Sequence, residues 1–132
     1  MFAEIISHYG KNPPNKLAVK GAQIRYWEEN WLCWDSLEVF IKLEDTKIIQ
    51  WGFEWNTSII TTACASVFWE SIIWMDLEEI LNLDYLYMKE ILWEDVSPRR
   101  KNASVLGLLA TRNAIHEYKK DSIIDNFEDI IK

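Results

Sequence analysis

Leu37-Glu38-Val39-Phe40-Ile41-Lys42-Leu43 decides the fold. Leu37, Val39, Ile41 and Leu43 share one face of an extended chain and Glu38 and Lys42 the other, the period-two pattern of a half-buried strand. Glu44-Asp45-Thr46-Lys47 then reads as a turn, and Ile49, Trp51 and Phe53 alternate in a strand beyond it. Upstream, Ala22, Ile24 and Tyr26 alternate with Gln23 and Arg25 in a further strand. Three strands with such short links predict an antiparallel meander with one buried face.

Outside this meander the period is helical. Phe2, Ile5, Ile6 and Tyr9 predict an opening helix, stopped by Lys11-Asn12-Pro13-Pro14-Asn15. Ile60, Cys64, Val67 and Ser71 predict a helix after Asn56. Asp76-Leu77-Glu78-Glu79 reads as a helix start, with acidic residues at the positive end of the dipole. A short helix over Tyr85 to Leu92 follows. Past Pro98, Val105, Leu108, Leu109, Ile115 and Tyr118 mark the stripe of a long last helix. The expected class is α+β, a three-stranded antiparallel sheet with helices packed on one face. Residues 1–120 form one domain in this reading. Residues 121–132 form an acidic tail with Ile123, Ile124, Phe127 and Ile130 at helical spacing.

The chain has 132 residues, 49% hydrophobic and 27% charged, enough for one domain with a core. No apolar stretch approaches the roughly 18 residues of a membrane helix. Met1 to Gly10 has no Lys or Arg ahead of its apolar residues, unlike a secretory signal, so the expected location is the cytoplasm. A net charge of −7 argues against a nucleic-acid partner, and the one basic run, Arg99-Arg100-Lys101, is short enough to be a solvated loop. Two cysteines make no disulfide framework.

Cys33-Trp34-Asp35 lies in the loop between the first two strands, where a thiolate and a carboxylate two residues apart can reach one metal ion. An ordinary loop cysteine is the plainer reading. Cys64, on an apolar helix face, reads as a buried structural thiol, and His8 and His116 as residues near helix ends. A nucleophilic pair of Cys33 with His8 has no local motif behind it.

These features, in their order, resemble the U-type iron–sulfur cluster assembly scaffolds, the family of NifU amino-terminal domains. Ile6-Ser7-His8-Tyr9 with Asn12-Pro13-Pro14-Asn15 is similar to the family's first helix and its exit. Asn30-Trp31-Leu32-Cys33-Trp34-Asp35 resembles the asparagine-proline-x-cysteine-glycine-aspartate loop carrying the first ligand. Phe53-Glu54-Trp55-Asn56-Thr57-Ser58 resembles the phenylalanine-x-glycine-x-glycine-cysteine segment, and Ala63-Cys64-Ala65-Ser66 the small-residue helix after it. Pro98 to Ala103 resembles the loop of the third cysteine.

The resemblance implies a non-enzymatic carrier whose cofactor is a transient iron–sulfur cluster or zinc. It implies a cysteine desulfurase and apo-protein acceptors as partners. Cys33 and Asp35 match the family's ligand positions, with Ser58 at the second cysteine position as a weak ligand and Ala103 at the third. Six residues along a helix puts Cys64 about 9 Å from Ser58, on another face. Cys33 and Asp35 could accept a persulfide, bind zinc with two waters, or share a cluster across a homo-oligomer, whereas a cluster held alone calls for about four protein ligands. Arg99, Arg100 and Lys101 would stand beside this site, able to lower the pKa of Cys33. A ligand-depleted homologue that only binds the assembly machinery is the alternative. A cysteine-dependent enzyme unrelated to sulfur transfer is a third.

Eight tryptophans stand against four glycines, an inversion of ordinary usage. Trp34, Trp55 and Trp74 fall where the resembled family has glycine, and Trp31, Trp69 and Trp93 sit at loops or helix ends. Either these tryptophans fill a pocket, or some are UGA codons that the source organism reads as glycine.

Overall fold

The computed structural model describes residues 2–32 and 34–131. Helix α1 (Phe2–Tyr9) leads through an irregular segment to strands β1 (Ile24–Asn30), β2 (Asp35–Glu44) and β3 (Lys47–Glu54). Helices α2 (Ile59–Ile72), α3 (Leu77–Ile80) and α4 (Tyr85–Leu92) follow, then a 3₁₀ turn at Pro98–Arg100, α5 (Lys101–Lys119) and α6 (Phe127–Ile130). The fold is α+β, as the sequence predicts.

The sheet is antiparallel in the order β1-β2-β3. Leu37, Val39, Ile41 and Leu43 are buried on its inner face. Opposite them on β1 stand Glu28, Tyr26 and Ile24, paired with Leu37, Val39 and Ile41. The alternation that places Ile24 and Tyr26 inward therefore places a carboxylate inward too. Burial pushes Glu28 up to about 7, with an opposing hydrogen bond from Asn113 Nδ2 at 3.5 Å.

Helix α2 has no clean polar face, because it is covered on several sides: Thr61, Thr62, Ala63, Cys64, Ala65 and Ser66 are all buried. Its small side chains permit close approach. A Cβ on Gly107 of α5 would already meet the Ala65 Cβ at 3.4 Å. Trp51 closes the same region, donating from Nε1 to Thr111 Oγ1 at 2.9 Å.

The chain beyond α5 is tied back by charge. Asp125 Oδ2 accepts from Arg112 Nε at 2.9 Å and faces His116 Nε2 at 3.1 Å, while His116 Nδ1 faces Asp121 at 2.7 Å. Asn113 adds two bonds to the Asp125 backbone, and Ile130 is buried. Ile123 and Ile124 are exposed and non-helical, so the helical spacing of the tail is realised at Phe127–Ile130 alone. No described helix is long and apolar enough to cross a membrane.

Candidate functional site

The β1–β2 loop meets the N-terminus of α2, and Asp35 is the residue that joins them. Asp35 opens β2 opposite Asn30 and is 4% exposed. Its Oδ1 accepts from the Ser58 backbone N–H at 2.6 Å. Its Oδ2 accepts from the Thr61 hydroxyl at 2.6 Å and, more weakly, from Ser58 Oγ at 3.5 Å. The carboxylate thereby satisfies a helix N-terminal donor and sits at the positive end of the α2 dipole.

Ser58 is the N-cap of α2. Its Oγ accepts from the Thr61 N–H at 3.2 Å, as a serine just before a helical run is suited to do. Thr61 is the residue that the sequence reading missed. A hydroxyl three residues past an N-cap serine is an ordinary surface pattern, and only the approach of β2 makes it a partner of Asp35. Asn30, one strand over, accepts at Oδ1 from the Leu32 N–H, while its buried Nδ2 has no partner among the described residues.

Cys33 lies outside the described residues. Around its neighbours, Glu29, Trp31, Trp34, Asp35 and Ser36 line a depression of about 190 Å³. Cys64 is fully enclosed in α2, and burial pushes its thiol up to about 12, so it offers no thiolate at neutral pH. Ala103, in the first turn of α5, is buried and has no donor atom. His8 is exposed on α1, edge-on to Tyr9, and His116 belongs to the ion-pair cluster of the tail. Lys101 faces Asp95 at 4.0 Å and the Tyr85 ring at 4.7 Å, while Arg99 and Arg100 are exposed.

Among the described residues, the donor set does not fit a bound cluster or zinc ion. Of the roughly four lone-pair positions of the Asp35 carboxylate, the Ser58 N–H and the Thr61 hydroxyl fill two at 2.6 Å, with the Ser58 hydroxyl near a third at 3.5 Å. Ser58 is occupied as a cap, and a hydroxyl is in any case a poor ligand beside a thiolate. Among the described residues no group of three or more His, Cys, Asp or Glu side chains is placed to hold a metal.

Comparison with solved structures returns the same architecture. A crystal structure described as a candidate iron–sulfur cluster assembly scaffold protein for the SUF system, from Fervidobacterium islandicum AW-1, superposes with a TM-score of 0.74 at 18% identity. The match covers 85% of this chain and 94% of that one. A nitrogen-fixing NifU-like protein (N-terminal) from Brucella abortus superposes with a TM-score of 0.71 at 14% identity, over 90% and 94% of the two chains. No curated protein sequence matches significantly. The family model described as NifU-like N terminal domain matches residues 2–124, nearly the whole fold described above, and the chain belongs to that family.

Proposed function

We propose that the protein works in iron–sulfur cluster assembly as a sulfur-accepting carrier of the scaffold type, with Cys33 as the acceptor thiol. The observation that carries this reading is the family match across residues 2–124 in a chain that keeps Cys33 two residues before Asp35. Asp35 anchors the loop base to α2 and is a positioning residue here. In the transfer, the Cys33 thiolate attacks the outer sulfur of a persulfide on a cysteine desulfurase. A sulfur–sulfur bond forms on Cys33 as the donor's breaks, and the donor cysteine leaves as a thiolate. The chain turns over no substrate of its own. Its setting is the cytoplasm, and apo-protein acceptors stand downstream.

A second reading is favoured by the engagement of Asp35, Ser58 and Ala103 in structure alone: a ligand-depleted family member that binds the assembly machinery and carries nothing. One experiment separates the two. The protein is incubated with a cysteine desulfurase and cysteine under anaerobic conditions. Persulfide is located by peptide mass spectrometry, with iron, zinc and acid-labile sulfide measured per chain. The carrier reading expects persulfide on Cys33, its loss in Cys33→Ala, and metal well below one per chain. Desulfurase binding without persulfide establishes the second reading. Near-stoichiometric metal that Cys33→Ala empties means that a second copy or a partner completes the site.

A further inference from the structure

Half of the tryptophans sit on backbone that tryptophan should avoid. Trp34, Trp55, Trp74 and Trp93 have φ of 56°, 98°, 69° and 59°. Among all other non-glycine residues described, three have positive φ: Asp45, Lys120 and Ser122. Positive φ is uncommon outside glycine and is a particular burden for a bulky side chain. Chance does not concentrate it in one residue type.

Each local structure is one that glycine ordinarily builds. At the end of α4 the Trp93 N–H donates to Glu90 O at 3.2 Å and the Glu94 N–H to Lys89 O at 3.3 Å. That is the Schellman pattern, whose left-handed residue is usually glycine. After α2, Ile73 has φ −63° and ψ 132°, Trp74 follows at φ 69°, and the Met75 N–H returns to Ile72 O at 2.9 Å. This is a type II turn, and its third residue calls for glycine. Trp55, at 98°, lies beyond even the small left-handed well open to other residues. Trp34, at 56°, is the residue just before β2.

The side chains gain only surface contacts in return, such as the Trp55 Nε1 bond to Glu38 at 3.3 Å. They are 76%, 57%, 60% and 77% exposed in chain order, so they fill no pocket. Trp51 is the contrast: it is 2% exposed, hydrogen-bonded through its indole, on ordinary strand backbone. At Trp27, Trp31 and Trp69 the backbone is open to any residue, and conformation makes no assignment.

We propose that positions 34, 55, 74 and 93 are glycine in the protein as its own organism makes it, encoded by UGA read as glycine. UGA is one base from the tryptophan codon UGG and one from the glycine codon GGA, so either decoding is a single-base neighbour. Exchanging four tryptophans brings the composition to eight glycines and four tryptophans, near ordinary usage. At the candidate site, glycine at 34 removes the indole packed edge-on against Trp31 at 6.3 Å, and glycine at 55 removes the one bonded to Glu38 at 3.3 Å. The backbone just before Asp35 becomes open and able to approach a ligand or a partner's sulfur closely. The assignment stands on conformation and composition and is independent of the function proposed above.

The test is peptide sequencing by mass spectrometry of the chain isolated from its own organism, read beside the gene. Glycine at 34, 55, 74 and 93 with UGA codons, and tryptophan at 51 with UGG, is the expected result. Tryptophan at any of the four overturns the proposal, and so does glycine at 51. A solution measurement adds a second check. In a chain produced with tryptophan at all eight positions, replacing these four by glycine should raise the urea midpoint of unfolding. A lowered or unchanged midpoint overturns the conformational argument.

Discussion

Asp35 shows how one carboxylate can change its occupation within a fold. With a 2.6 Å bond to a helix N–H and another to a buried hydroxyl, it holds strand to helix. Asp35→Ala strands both donors in the interior and should cost about 2–3 kcal/mol in urea unfolding, with Asp35→Asn losing less because one acceptor remains. Glu28 is the opposite case, a carboxylate that burial makes expensive. Its pKa in the folded protein, about 7, lies above its value of about 4.3 in an unfolded chain, so the folded state binds the proton more tightly. Stability should therefore fall as pH rises from about 4.3 to about 7 and level off above that. Glu28→Gln should flatten this slope and add about 1 kcal/mol at pH 8, a figure discounted for the solvent that reaches the half-buried carboxylate. Stability–pH profiles of the two proteins check it.

At the scale of elements, legibility followed periodicity. The alternation of Leu37 to Leu43 reports a surface half in the core, while the four-and-three spacing after Asn56 marks a helix that is in fact covered on several sides; strands β2 and β3 and helices α2 and α4 lie where the sequence puts them. Ser58 reads in the sequence as a degraded ligand, while in the structure it caps α2, which any serine before a helix can do. Thr61 gave no signal, because a buried hydrogen bond across 26 residues leaves no local pattern. The left-handed positions were partly visible as an excess of tryptophan over glycine. Trp93 needed the geometry of the α4 end, since composition does not say which tryptophan carries the strain.

For the whole molecule, the acidic tail is the part that charge and packing decide together. Arg112, His116 and Asn113 of α5 converge on Asp125, and Ile130 enters the core next to them. Removing one partner of a buried ionic cluster is costly, so Asp125→Ala should lower stability by about 3 kcal/mol, measured by urea unfolding. Sequence by itself determined the α+β class, the meander, the helices and the family's loop of Cys33 and Asp35, because hydrophobic period and turn chemistry act over a few residues. Tertiary structure alone decided that the Asp35 carboxylate is spent on α2, that Glu28 faces inward, and that four tryptophans stand on glycine backbone. Those outcomes depend on which distant donors, apolar walls and turns the chain brings together, and no local pattern encodes that meeting.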